Sequence, residues 1–134
     1  MTSQVKLHTL PMLPPTRGYC HLAEVIGPGR LIYTSGMLPL DSAGNLIGKG
    51  DIRVQAEQTY QNIKVALASV GATFDNVIKT NTYLIDVTQA PLVREVRRRY
   101  LNAAAPPAST LVGVAALGLP DLLIEVEVVA VVPA

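Results

Sequence analysis

The chain has 134 residues, a length typical of one domain, and 49% of them are hydrophobic although there is a single Phe and no Trp. A domain of this size buries roughly two-thirds of its unfolded surface, so an aliphatic core can hold it together without disulfides or metal. Its formal charge of +1 lacks the basic excess of a nucleic-acid binder, so we predict one domain over residues 1–134 and no nucleic-acid partner.

Three short strands are predicted before the first helix. Residues 4–10 form an edge strand, which the prolines that follow would end. Residues 20–25 and 30–35 are two further apolar runs, separated by Gly27-Pro28-Gly29. Because this triplet combines a fixed φ with residues that tolerate positive φ, it predicts a β-hairpin between the two runs.

The clearest periodic pattern lies between residues 51 and 70. Apolar side chains recur there at spacings of three and four, which predicts an amphipathic helix. Asp51 is a suitable N-cap, and Gly71 lies where a helix commonly ends in the left-handed conformation.

The second half of the chain predicts one more helix and three more strands. Residues 77–85 alternate like a strand, and Thr88 would cap a helix over residues 91–101 that Pro106-Pro107 prevents from continuing. Two closing strands are predicted over residues 109–114 and 123–132.

This order of elements predicts an α+β fold, with a mixed six-stranded sheet and two helices on one face. The last strand has Ile124, Val126 and Val128 on one side and Val129 and Val131 on the other. Two helices can cover only one side of such a sheet. We therefore predict that the other side is buried in a homo-oligomer.

Several features bear on the compartment. Cys20 is the single cysteine, so an intramolecular disulfide is impossible and a reducing, cytoplasmic location is predicted. The N-terminus lacks the pattern of a signal peptide. Residues 100–120 carry no formal charge, but Asn102 and Pro106-Pro107 interrupt them, so we predict no membrane span.

Glu125 and Glu127 are the only charged residues in the apolar terminal strand. A carboxylate in such a strand is costly unless it is paired or hydrogen-bonded. One interpretation is an ion pair with Lys79 or an arginine. The other is that a glutamate positions water as a catalytic acid or base.

Other reactive side chains give weaker signals. His8, His21 and Cys20 show no metal-ligand spacing, so no metal is predicted. Ser35 lacks the context of a hydrolase nucleophile, whereas Gly36 lets a backbone N–H approach a ligand. The arginines at 94, 97, 98 and 99 are interpreted as the solvated face of a helix.

Several segments together resemble the RidA (YjgF) family of reactive-intermediate deaminases. The matching segments run through nearly the whole chain in the family's order, and they include the strand end Ser35-Gly36 and the terminal strand around Glu125. They are Gly18-Tyr19 and residues 32–39, 61–64, 77–83, 107–110 and 124–131.

The resemblance implies a chorismate-mutase-like fold and a homotrimer with clefts between subunits. It also implies cofactor-free hydrolysis of a small-molecule enamine or imine, such as 2-aminoacrylate, to a keto acid and ammonia. Glu125 matches the water-positioning glutamate, and Tyr19 matches a tyrosine of the cleft. Ser35 and Gly36 match the strand end whose backbone faces the ligand.

The chain departs from the family pattern at the substrate anchor. Ser109 stands where the family has the arginine that grips the substrate carboxylate, and Leu111 stands where a cysteine is common. A serine cannot replace a charged, bidentate guanidinium. Arg17 is a candidate substitute. We therefore predict a substrate other than 2-aminoacrylate, with a non-catalytic ligand-binding or regulatory trimer as the alternative.

Overall fold

A computed structural model describes residues 4–133, which form six strands and two α-helices. The order of elements is the predicted one, and the α+β class is confirmed. Short 3-10 turns precede β4 and α2. The elements are β1 Gln4–His8, β2 Leu22–Ile26, β3 Gly29–Tyr33, α1 Ile52–Ala68, β4 Val77–Leu84, α2 Ala90–Arg97, β5 Ala108–Gly113 and β6 Ile124–Pro133.

The strands divide into two sheets rather than forming the single six-stranded sheet that was predicted. A four-stranded mixed sheet has the order β3-β6-β4-β5, in which β4 and β5 are parallel and β6 is antiparallel to both of its neighbours. The other sheet is the antiparallel pair β1-β2. The predicted hairpin is therefore wrong, because β2 pairs with β1 and β3 pairs with β6. Pairing with the long apolar β6 packs Ile32 of β3 against the main core.

Helix α1 forms where its pattern predicted. The Asp51 carboxylate accepts hydrogen bonds from the backbone N–H groups of Arg53 and Val54, at 3.0 and 3.2 Å, and so caps the helix. Gly71 follows the end of α1 with a φ of +76°, as expected for a helix-terminating glycine. The apolar stripe of α1, made up of Ala56, Tyr60, Ile63 and Leu67, is buried together with the polar residues Gln55 and Thr59.

Helix α2 is shorter than predicted and is preceded by a different cap. It ends at Arg97, and the 3-10 turn before it is capped by Asp86, whose Oδ1 accepts a hydrogen bond from the Thr88 backbone N–H at 2.9 Å. Thr88 is therefore not the cap. Val93 and Val96 are buried, as the spacing predicted.

The two faces of the main sheet differ. Ile124, Val126, Val128 and Ala130 of β6 belong to the core cluster that includes side chains of both helices. Because side chains alternate along a strand, Glu125, Glu127 and Val129 lie on the opposite side, which we call the open face. Its edge strand β3 adds Leu31 and Tyr33, which are 58% and 72% exposed. Large apolar side chains this exposed at a sheet face indicate a surface suited to association.

Candidate functional site

The chain bulges away from β6 immediately after β3. Thr34 and Met37 both donate backbone hydrogen bonds to β6, at N···O distances of 3.0 and 2.7 Å. Their acceptors are the carbonyl oxygens of Val128 and Val126. Between these two hydrogen bonds, Ser35 and Gly36 lie opposite the single residue Glu127 of β6, which is the pattern of a β-bulge. Among residues 4–133, the backbone N–H groups of Ser35 and Gly36 have no hydrogen-bond acceptor. The bulge therefore presents two free donors beside β6.

The side chain of Glu125 lies against this bulge. A β-carbon added at Gly36 would lie 2.6 Å from the carboxyl carbon of Glu125 and closer still to one carboxylate oxygen. Only glycine therefore leaves room for the carboxylate here. Within the described chain, the half-buried Glu125 carboxylate has neither a hydrogen-bond donor nor a cation in contact. It is free to bind water or a ligand.

Glu127 is engaged by its neighbours. Its carboxylate accepts hydrogen bonds from Tyr83 Oη at 2.7 Å and from Asn81 Nδ2 at 3.3 Å. The hydrogen bond to Glu127, with a contribution from burial, raises the pKa of Tyr83 above its usual value. Lys79 donates to Thr110 Oγ1 at 2.8 Å instead. Within residues 4–133 neither glutamate lies in an ion pair, so that interpretation is wrong for both, and Glu127 is instead held by hydrogen bonds.

Three other predicted site residues share a separate cavity. Arg17, Tyr19 and Ser109 line a cavity of about 390 Å³ together with Pro15, Leu111 and two arginines of α2. The segment before β2 is held beside β5 by a hydrogen bond from the backbone N–H of Cys20 to the carbonyl oxygen of Pro107, at 3.2 Å. This contact places Tyr19 next to Ser109.

The two groups of residues lie on different faces of the main sheet. Glu125 is opposite Tyr83 in the β4-β6 register, on the open face. Ser109 is opposite Thr80 in the β4-β5 register, and Thr80 Oγ1 donates to Ser109 Oγ at 3.1 Å on the helix side. One chain therefore does not bring Glu125 into the cavity that holds Ser109.

Arg94 and Arg97 are the cavity residues that sequence reasoning missed. The arginine run was interpreted as a solvated helix face. Arg94, Arg98 and Arg99 are indeed exposed, but Arg98 and Arg99 follow the end of α2, and Arg99 pairs with Glu57 at 2.9 Å. Arg97 is instead partly buried, and its Nη2 donates to the carbonyl oxygen of Gly18 at 3.3 Å. The spacing of three between Arg94 and Arg97 placed them on one helix face, but nothing local showed that a cavity adjoins it.

The described residues offer little for other chemistries. No group of three or more His, Cys, Asp or Glu side chains within residues 4–133 is placed to hold a metal ion. Burial raises the pKa of the Cys20 thiol, which favours its unreactive form. In the same part of the chain, no helix is both long enough and apolar enough to cross a bilayer.

Comparison with known proteins decides the family. The model of the endoribonuclease L-PSP family matches residues 13–132. The chain belongs to this family. A RutC family protein of Synechocystis is 32% identical over 82% of this chain and 85% of its own length. The predicted relationship to the RidA family is thereby confirmed.

Two further relatives are similar to this chain over nearly its whole length. The crystal structure of YyfB, a Rid family protein from Yersinia pestis, superimposes with a TM-score of 0.83 at 28% identity and covers 96% of this chain and 98% of its own. A protein of Dermatophagoides farinae named 2-iminobutanoate/2-iminopropanoate deaminase is 28% identical over 97% of this chain and 98% of its own length. The relatives of this chain thus include a protein named as an imine deaminase.

Proposed function

We propose that this protein is a cofactor-independent deaminase that hydrolyses small imine or enamine intermediates. The observation that carries the proposal is the uncommitted carboxylate of Glu125, which lies against Gly36 in the bulge where the N–H groups of Ser35 and Gly36 are free. A carboxylate without a partner can accept a proton from water, and two free N–H donors can hydrogen-bond a water molecule or a ligand oxygen beside it. The relative named as an imine deaminase supports the same chemistry.

The reaction needs only proton transfers and water. Glu125 accepts a proton from a water molecule as the water oxygen forms a bond to the imine carbon. The C=N π-electron pair moves to nitrogen, which takes up a proton from solvent water, so that a carbinolamine forms. Glu125 then returns its proton to the nitrogen, and the C–N bond breaks with its electron pair leaving on ammonia. The carbinolamine hydroxyl gives its proton to solvent water as the C=O bond forms, which releases the carbonyl product. An enamine substrate must first tautomerise to the imine.

We propose further that the working site forms between subunits of a homotrimer. In one chain, Glu125 and Gly36 lie on the open face, while Tyr19, Ser109 and Arg17 line a cavity on the other side of the sheet. A cyclic assembly can set the first group of one subunit against the second group of the next. Each of the three clefts would then hold a complete set.

The first expected result concerns assembly. At micromolar concentration, sedimentation equilibrium should give three times the chain mass of 14.3 kDa. Tyr33→Glu should lower that mass, because it puts a charge on the apolar part of the open face. Val65→Glu is the matched control, because Val65 is 68% exposed on α1, away from this face, and its charge should leave the mass unchanged. A monomeric wild-type protein would contradict the proposed cleft.

The second expected result concerns turnover. Ammonia release should be accelerated for at least one member of a panel of freshly generated imines and enamines that includes 2-aminoacrylate. The substrates in the panel should differ in their number of carboxylates, because Ser109 lacks the positive charge that would bind a substrate carboxylate at this position. Absence of acceleration throughout the panel would favour the alternative, a non-catalytic ligand-binding or regulatory trimer, which the loss of an arginine at position 109 also fits.

A further inference from the structure

The cavity beside Ser109 contains three positive charges and no negative one. Arg17, Arg94 and Arg97 all line it, and the same three arginines line an adjoining cavity of about 360 Å³. Within residues 4–133, none of the three lies within ion-pair distance of a carboxylate. The two cavities therefore share an unneutralised cationic wall, which we call the arginine wall.

Clustered arginines without an acidic partner are unfavourable in the free protein. Arg97 is partly buried, and its one hydrogen bond from Nη2 goes to the Gly18 carbonyl oxygen. Burial, together with the neighbouring charges of Arg94 and Arg98, holds the pKa of Arg97 below its usual value. A bound anion would offset the cost of desolvation by charge attraction and would screen the repulsion, so the arrangement favours a site that is filled by a negatively charged ligand.

The remaining lining shows what kind of anion fits. Pro15 and Leu111 give the cavity apolar walls, while Tyr19 adds a ring and the Ser109 hydroxyl can donate its own proton to a ligand oxygen. A volume of about 390 Å³ is within the usual range for a small-molecule site. A ligand with a short carbon skeleton and charged ends suits this lining better than a bare inorganic ion.

We propose that the arginine wall binds the carboxylates of a small dicarboxylic ligand, so that the substrates of this protein are imines bearing two carboxylate groups. One carboxylate would neutralise only one of the three arginines, and guanidinium groups bind carboxylates through paired N–H donors. In this chain the anchor therefore lies on helix α2 and the Arg17 segment, instead of at position 109 on β5. The assignment of the substrates as imines rests on the proposed deaminase activity, whereas the dicarboxylate-binding site is proposed independently of it.

The test is direct binding of two matched probes to the full-length protein, measured by calorimetry and by thermal melting. Succinate carries two carboxylates, and succinamate replaces one of them with a neutral amide of the same shape. Succinate should bind and raise the melting temperature, and succinamate should bind roughly tenfold or more weakly because one charge-assisted contact is lost. Equal binding of the two probes would overturn the proposal.

Variants assign the binding to the arginine wall. Arg94→Gln alters an exposed residue, so the protein should fold normally and lose roughly ten- to a hundredfold in succinate affinity. Arg97→Lys keeps the charge and should lose less. Arg30→Gln is the matched control, because Arg30 is exposed like Arg94 but lies outside both cavities. Its side chain donates a hydrogen bond to the carbonyl oxygen of Val70. Unchanged succinate affinity in Arg94→Gln would overturn the assignment.

Two further outcomes separate this inference from the deaminase proposal. Succinate binding that depends on Arg94, in a protein that turns over no imine, would support the site and refute the deaminase. Turnover of monocarboxylic imines without any succinate binding would support the deaminase and refute the dicarboxylate site. Binding of sulfate or of a short RNA oligonucleotide with the same dependence on Arg94, but not of succinate, would show that the site takes phosphate-like groups and would overturn the dicarboxylate proposal.

Discussion

Replacement of Glu125 with Gln should lower the rate of imine hydrolysis by about 10²–10⁴-fold, the usual contribution of a positioned acid or base. The amide has nearly the same shape as the carboxylate but cannot accept a proton from water at neutral pH. Because Glu125 has no hydrogen-bond donor or cation in contact within the described chain, the substitution breaks no internal pairing. The melting temperature should therefore change little while the turnover number falls.

Glu127→Gln is the matched control for this result. The residue lies two positions along the same strand and on the same open face, but its carboxylate is held by Tyr83 and Asn81. The substitution should retain most of the turnover and affect stability more than activity. Equal activity of Glu125→Gln and the wild-type protein would refute the catalytic role of Glu125.

Mixed trimers test whether the site is shared between subunits. Glu125→Gln and Arg94→Gln subunits, unfolded and refolded together, should recover activity that neither variant has alone. In a random equal mixture, about a quarter of the clefts would combine an intact Glu125 from one subunit with an intact Arg94 from the next. No recovery would indicate that both residues must come from one chain, contrary to the proposed cleft.

Replacement of Gly36 with Ala should also reduce turnover, by roughly ten- to a hundredfold, because a small misplacement of a reacting group is costly. The added methyl group would lie 2.6 Å from the Glu125 carboxyl carbon, far inside van der Waals contact. The carboxylate must therefore move away from its present position against the bulge. Because the displaced atoms belong to the end of a flexible side chain, the fold should survive, with a melting curve close to that of the wild type.

The control for Gly36→Ala is Gly118→Ala, since a β-carbon at Gly118 would meet no atom within 4 Å. A double-mutant cycle gives the sharper test. In the Glu125→Gln background the carboxylate function is already lost, so Gly36→Ala should reduce the residual rate only slightly. A full additional loss in that background would show that Gly36 acts independently of Glu125.

Sequence patterns were reliable where the deciding interactions are local. The apolar stripe of α1, its cap at Asp51 and its end near Gly71 all depend on neighbours within one or two helical turns. The alternation in β6 likewise separated the buried residues from Glu125 and Glu127. Together with the family resemblance, these patterns were sufficient for the α+β class and the order of elements, and they made Glu125 the candidate catalytic residue.

Only the tertiary structure decided how the strands pair and which side chains meet. A local turn at Gly27-Pro28-Gly29 favoured a hairpin, but β3 pairs with β6, a strand distant in sequence, because that pairing joins the main core. The partners of Glu127 and the cavity beside Arg94 and Arg97 depend in the same way on contacts between distant segments. Periodicity shows which face of an element a side chain occupies, whereas the packing of the whole chain determines what lies opposite that face.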